Sequence, residues 1–194
     1  MLLAGILLMA KPALADSYYP YEIQGYDVTV KVGKDNVYHV TERLQVNFNQ
    51  ARHGIYRDIP VINNVSREDG STSRIQARVT NIKTYGEKKT VGREGSYCRI
   101  QLGDKNKTLV GEHMYHISYD YNMGKDVRKG EDEFYYNIIG TSWDTTIQNV
   151  PFHIMMPEDI DESKVGMAYG ESGSTNNEGL QYTINGKVME GYVD

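Results

Sequence analysis

The fold is decided by the stretch Tyr26-Asp27-Val28-Thr29-Val30-Lys31-Val32, in which every second residue is apolar. Successive side chains of a β-strand point to opposite faces, so this alternation predicts a strand with one buried and one solvated face. A turn-forming run at residues 33–36 follows, and the alternation resumes over residues 40–48. The two segments together predict an antiparallel hairpin that covers a core with one of its faces.

The same alternation recurs along most of the chain. It predicts further strands over residues 75–85, 97–102, 112–121, 134–139 and 146–156. The pair Asn185-Gly186 suits a tight hairpin turn and predicts a last hairpin near the C-terminus. No long stretch of the sequence has the 3.6-residue period of an amphipathic helix. We therefore expect an all-β fold, an antiparallel β-sandwich of immunoglobulin-like or related type, with few or no helices.

The N-terminus has the pattern of an export signal. Residues 2–10 form an apolar run that is too short to span a bilayer as a helix, and the small residues Ala13 and Ala15 fit the preference of signal peptidase. We expect residues 1–15 to be a signal peptide, lacking the usual positive n-region, and residues 16–194 to form a single extracytoplasmic domain. The alternative is that the apolar run is a buried N-terminal segment.

Charge and cysteine content exclude several classes of protein. The formal net charge is −5, and lysine and arginine cluster nowhere, so a nucleic-acid partner is not expected. Cys98 is the only cysteine, which excludes an internal disulfide. Because Cys98 shares its strand parity with Ile100 and Leu102, the pattern predicts a buried and unreactive thiol.

Two blocks of sequence carry a family resemblance. The first is Val40-Thr41-Glu42 followed by residues 53–60, and the second is residues 132–137 followed by Gly140, Trp143 and Met156-Pro157. Their order and spacing resemble the family called domain of unknown function 2207, the N-terminal extracytoplasmic region of predicted bacterial membrane proteins. The resemblance implies an exported β-rich region at the extracytoplasmic face, with membrane association through segments absent from this chain. It implies no catalytic or binding residues.

Charged residues inside apolar strand patterns point to a buried ion pair. Glu42 interrupts the apolar row of the second strand, and Arg57-Asp58 interrupts the run between Tyr56 and Ile59. Unpaired burial of a charge is costly, so we expect Arg57 to pair with an acid such as Glu42 or Asp132.

Metal binding is not expected, and neither is a cofactor. The acids Asp126, Glu131, Asp132 and Glu133 could supply oxygens to calcium, but a solvated acidic loop before a strand is the favoured interpretation. His113 and His116 would point to opposite faces of a strand and could not share a metal.

The aromatic residues raise a different hypothesis. Trp143, the only tryptophan, could stack on sugar rings together with Tyr135 and Tyr136. The alternative is that Trp143 fills the core between two sheets. An exposed Trp143 would favour glycan binding, whereas a buried Trp143 without a deep pocket would not.

We therefore expect a non-enzymatic, exported module that senses or binds a partner at the cell envelope. The partner would be an envelope protein or a cell-wall glycan. The alternatives are a glycan-binding module that uses exposed aromatics and a hydrolase that uses paired carboxylates, whose spacing a sequence cannot show.

Overall fold

The structure is a computed structural model that describes residues 19–66, 72–124, 134–140, 142–167, 177 and 180–193. Within these ranges the chain forms the strands β1 (Tyr21–Val32), β2 (Val37–Arg52), β3 (Ile55–Pro60), β4 (Ile62–Ser66), β5 (Thr72–Gln76), β6 (Arg78–Thr84), β7 (Lys89–Glu94), β8 (Tyr97–Leu102), β9 (Leu109–Asn122), β10 (Val150–Met155), β11 (Gln181–Asn185) and β12 (Val188–Val193). One turn of 3₁₀ helix at Glu162–Lys164 follows β10. The predicted all-β fold is confirmed.

The strands form one large and two smaller sheets. The large sheet has seven strands in the order β11-β12-β10-β1-β2-β9-β6, the second has the order β3-β8-β7, and β4 pairs with β5. The predicted hairpin is β1 and β2, with Val30 opposite Val40. The predicted antiparallel pairing has one exception among the paired strands: β1 and β10 run parallel, with Val28 opposite Phe152. Alternation predicts which face a residue occupies but not the direction of the neighbouring strand.

One hydrophobic core joins the inward faces of the large sheet and of the β3-β8-β7 sheet. From the large sheet it includes Tyr26, Val28, Val30, Tyr38, Val40, Leu44, Val46, Phe48, Tyr115, Ile117, Tyr119, Tyr121, Val150, Phe152 and Ile154. From the smaller sheet it includes Ile55, Ile59, Ile100 and Leu102. The inward residues are the alternate apolar positions that the sequence pattern predicted. The opposite, outer face of the large sheet carries the polar residues.

The strand predicted over residues 134–139 is wrong. Residues 134–140 form no strand, although Phe134, Tyr136, Ile138 and Ile139 pack against the core. The backbone turns instead at Gly140, whose φ is +90°. Phe134 and Tyr136 therefore pack against the core without forming a strand, and Tyr135 between them is exposed.

The strand predicted over residues 75–85 is divided between β5 and β6 at Ala77. β5 pairs with β4, whereas β6 belongs to the large sheet, and the amide of Ala77 between them donates to the carbonyl of Val61 at 2.9 Å. The signal peptide assigned to residues 1–15 lies outside the described residues, and the domain division stays a prediction. In the described part of the chain, the structure has no helix that is long and apolar enough to cross a bilayer.

Candidate functional site

Glu42 of β2 and Arg57 of β3 form an ion pair between the two main sheets. Both side chains are buried, with exposed fractions of 0% and 1%. Arg57 Nε donates to Glu42 Oε2 at 2.9 Å, and Nη2 donates to Oε1 at 2.8 Å, which is a bidentate arrangement. The structure thus brings together two of the residues that the interrupted apolar rows predicted to pair. Asp132, the other predicted partner, lies outside the described residues.

Two tyrosines extend this ion pair into a network. The hydroxyl of Tyr119 donates to Glu42 Oε1 at 2.6 Å and lies 2.7 Å from the hydroxyl of Tyr136. Burial and then the Glu42 charge raise the pKa of both phenols, so both stay protonated and able to donate. Burial by itself would lower the pKa of Arg57, but the Glu42 carboxylate holds it well above its usual range. The two phenols and the guanidinium therefore stay protonated, and their hydrogen bonds to Glu42 and to each other are made inside the fold.

The segment around Gly140 and Trp143 covers the ion pair. A Cβ on Gly140 would come within 2.5 Å of Arg57 Nη1, so only glycine allows this close approach. The Arg57 guanidinium lies 5.8 Å from the centre of the Trp143 ring, and Tyr26 contacts the same ring edge-on at 5.9 Å. The indole Nε1 donates to the carbonyl of Ile139 at 2.9 Å. Trp143 therefore packs against the core as a cover for the charges.

The three aromatics predicted to bind a ligand do not share one open face. Tyr135 is 44% exposed, whereas Tyr136 and Trp143 are half-buried with their contacts inside the protein. A cavity of about 40 Å³ beside them is lined by Arg57, Ile59, Pro60, Tyr121, Tyr135, Tyr136 and Asn137. Such a volume suits water rather than a sugar ring. A binding role for these three residues stays a prediction, and the geometry of Trp143 favours the core interpretation.

Asp58, next to Arg57, forms a second ion pair on the other side of β3. Arg99 of β8 donates from Nε to Oδ1 at 2.8 Å and from Nη2 to Oδ2 at 2.7 Å. The Tyr56 ring lies 5.1 Å from the same guanidinium, and Asp58 is 8% exposed. Adjacent residues of β3 thus pair with opposite charges on two different sheets.

The outer face of the large sheet carries a polar cluster that sequence reasoning missed. His39 of β2 lies opposite Asp120 of β9, and its Nδ1 is 2.7 Å from Asp120 Oδ1. Asn81 of β6 donates from Nδ2 to Asp120 Oδ2 at 2.6 Å. The Asn81 hydrogen bond, then His39 and Lys83, keep the pKa of Asp120 below its usual range. The carboxylate therefore stays ionised and is held in one orientation.

The polar cluster lies in an open depression of about 410 Å³. Its lining residues are His39, Val40, Thr41, Asn81, Lys83, Ser118, Tyr119 and Asp120. An irregularity in the pairing of β6 with β9, between Thr80 and Lys83, places Asn81 at a φ of +52° beside Asp120. The alternation marked His39 and Asp120 as outward residues. Nothing local marked them as neighbours, because 81 positions separate them along the chain.

The histidines of β9 occupy opposite faces, as predicted. His113 Nε2 lies 2.8 Å from Glu87 Oε1, whereas the His116 ring stacks on Tyr85 with centroids 4.1 Å apart. Over the residues that the structure describes, no group of three or more His, Cys, Asp and Glu side chains is placed to hold a metal ion. Cys98 is half-buried, and burial followed by the charge of Asp58 raises the pKa of its thiol.

Comparison with known proteins shows the family of this chain. Residues 22–192 match the family described as "Predicted membrane protein (DUF2207) N-terminal domain". The uncharacterized protein YciQ of Escherichia coli (strain K12) is 24% identical over 201 residues, which cover 98% of this chain and 30% of the relative. The chain thus spans about a third of the length of that relative.

Solved structures resemble the chain only distantly. Leukotriene A4 hydrolase from Saccharomyces cerevisiae aligns over 91% of this chain and 27% of its own, with 7% identity and a TM-score of 0.45. A putative nutrient binding protein from Legionella pneumophila aligns over 90% and 62%, with 13% identity and a TM-score of 0.43. An M1 zinc metallopeptidase from Deinococcus radiodurans aligns over 90% and 38%, with 12% identity and a TM-score of 0.40. Likeness at this level supports no activity for this chain.

Proposed function

Because the chain belongs to the family of predicted membrane proteins whose N-terminal domain is DUF2207, we propose that it is a non-enzymatic, extracytoplasmic module with which a membrane protein binds or senses a partner at the cell envelope. The export pattern of residues 1–15 supports the extracytoplasmic location. The family itself is described only as a predicted membrane protein, so the location and the partner are proposals.

The observation that carries the binding role is the polar cluster on the outer face of the large sheet. His39, Asn81 and Asp120 are fixed by mutual hydrogen bonds in an open depression of about 410 Å³. Polar groups that are already oriented on an accessible surface lose little conformational entropy when they bind a partner. By contrast, Glu42 and Arg57 are buried and hydrogen-bonded to each other inside the fold. Of these two groups of polar side chains, the cluster on the outer face is therefore the one that a partner can reach.

Cysteine labelling in intact cells tests the location. Lys105 is exposed in the turn between β8 and β9, so Lys105→Cys in the full-length membrane protein presents a thiol to solvent. We expect a membrane-impermeant maleimide to label this variant more strongly than its parent, which carries the half-buried Cys98, before the cells are disrupted. Labelling only after disruption would overturn the extracytoplasmic location.

Photo-crosslinking in the same cells tests the binding surface. A photoreactive phenylalanine analogue in place of Thr41, which lines the depression, should give a crosslinked product. Thr90 of β7 is exposed on the smaller sheet and supplies the matched control position. Crosslinks from Thr41 and not from Thr90 support the proposal. Crosslinks from Thr90 alone, or from neither position, contradict it.

A further inference from the structure

We propose that the outer face of β9 and its neighbours binds a neutral, hydroxyl-rich oligosaccharide, with Tyr85 as the stacking platform and the His39–Asp120–Asn81 cluster as the hydrogen-bonding end. The inference rests on the proposed binding function and names the ligand class of the same surface. It is argued from two features that lie at opposite ends of one row of outward-facing residues on the sheet.

The row is formed by three consecutive outward residues of β9, namely His116, Ser118 and Asp120. Ser118 is opposite Thr41 of β2 and opposite Lys83 of β6. At the usual rise of a strand, His116 and Asp120 are about 13 Å apart. This span is longer than one pyranose ring and suits a short chain of sugars lying along the strand.

The polar end offers the right mixture of hydrogen-bonding groups. Asp120 accepts from Asn81, so the amide oxygen of Asn81 keeps its acceptor capacity. If His39 donates from Nδ1 to Asp120, its Nε2 is an acceptor. The hydroxyls of Thr41 and Ser118 and the ammonium of Lys83 line the same depression. Sugar hydroxyls both donate and accept, and they can bond to acceptors and donors placed side by side.

The stacking end is supplied by Tyr85. Its ring is 57% exposed and stacks on His116 with an interplanar angle of 17° and centroids 4.1 Å apart. The imidazole covers one face of the phenol ring and holds its orientation. Burial and then Arg43 lower the pKa of His116, so the imidazole stays neutral at neutral pH. A rigid, partly apolar ring with a polar edge is suited to the faces of sugar rings.

The charges of the depression favour a neutral ligand. Among its lining residues, Asp120 carries a negative charge and Lys83 carries a positive charge. His39 adds a second positive charge only when it is protonated. A strongly anionic ligand would meet Asp120, and a strongly cationic one would meet Lys83. The exposed side chains that line the depression are polar, and the exposed apolar side chains of β9, Val110 and Met114, lie outside it. This surface is separate from the aromatics Tyr135, Tyr136 and Trp143.

Binding is tested with two probes and matched variants of the purified chain. The probes are a hexamer of N-acetylglucosamine, followed by calorimetry, and intact cell-wall sacculi, followed by co-sedimentation. Tyr85→Ala removes the stacking ring, and Asp120→Asn removes the charge and one of the two acceptor oxygens that organise the cluster. Tyr182 is 42% exposed on β11, so Tyr182→Ala is the control for loss of an exposed tyrosine elsewhere. Circular dichroism checks that each variant is folded.

We expect Tyr85→Ala and Asp120→Asn each to weaken binding of at least one probe roughly tenfold, because a hydrogen bond to a charged group or a ring contact is of that order. Tyr182→Ala should bind like the parent. Binding of the hexamer identifies neutral amino-sugar chains as the ligand, whereas binding of sacculi alone, which also carry peptides and carboxylates, refutes a neutral saccharide.

Unchanged binding in both variants, or no binding of either probe by the folded parent, overturns the inference. Failure of the ligand class is distinguishable from failure of the proposed function. Crosslinks from Thr41 in cells without saccharide binding refute only the ligand class and indicate a protein partner. A cytoplasmic location in the labelling experiment refutes the proposed function, whatever the purified chain binds.

Discussion

Replacement of Glu42 by glutamine tests whether the ion pair between the sheets stabilises the fold. The Glu42→Gln side chain has nearly the same shape, so packing around β2 is preserved. The substitution leaves the Arg57 guanidinium buried at 1% exposure, without the carboxylate that now accepts two of its hydrogen bonds. Tyr119 also loses a charged acceptor at 2.6 Å.

The magnitude follows from the burial of the remaining charge. Removal of one partner of a buried ion pair destabilises a protein by about 3–5 kcal/mol. For a chain of this size the melting temperature should therefore fall by roughly 6–20 °C. Arg57→Met in the same chain removes the stranded charge, so the double variant should recover most of the loss, since an uncharged pair of similar volume is close to neutral.

Thermal and urea unfolding, followed by circular dichroism, measure these effects. Glu158→Gln is the matched control, because Glu158 pairs with Lys34 on the surface with 65% of its side chain exposed. It should leave the midpoint unchanged. The reasoning fails if Glu42→Gln behaves like Glu158→Gln, or if the double variant is less stable than Glu42→Gln by the full effect of a second independent loss.

Three further predictions concern the same fold. Tyr119→Phe keeps the ring but removes the hydroxyl bonded to Glu42, and it should lower the free energy of unfolding by about 1.5–3 kcal/mol in urea titrations; an unchanged midpoint would show that the hydroxyl is dispensable. Gly140→Ala should destabilise by roughly 1–3 kcal/mol and alter the fluorescence of Trp143, because its φ is positive and its Cβ would touch Arg57. Gly86→Ala, at a positive φ in open space, is the control and should have the smaller effect. Finally, the pKa of His116 is lower in the folded than in the unfolded chain. The unfolded chain therefore binds the proton more readily, so stability should fall as the pH drops below about 6.5. Urea midpoints measured between pH 7.5 and 5.5 should fall less in His116→Gln than in the parent, and equal slopes would rule out this contribution.

Alternation along single strands predicted much of the fold. The inward rows of β1, β2 and β9 were readable because a strand has a strict two-residue period. The breaks in those rows at Glu42 and Arg57 were equally readable, since a charge on a buried face needs a counter-charge. The ion pair could therefore be anticipated as a chemical requirement before any geometry was known.

The pairing of strands that are distant in sequence could not be predicted from the sequence. The parallel pairing of β1 with β10 and the meeting of His39 with Asp120 depend on which strands lie side by side. Periodicity carries no information on this point. The error over residues 134–139 has a different cause. Tyr135 and Tyr136 have high strand propensity, but that propensity reflects packing on a sheet surface, and residues 134–140 form no strand.

The dipeptide Arg57-Asp58 has a consequence for how β3 finds its alignment. A slip of one residue would turn every side chain of the strand to the opposite face. Asp58 would then meet Glu42 in the core, and Arg57 would meet Arg99 on the outside, so that two attractions would become two repulsions. The two neighbouring residues of opposite charge thus stabilise one register of β3 and destabilise the registers that differ from it by one residue.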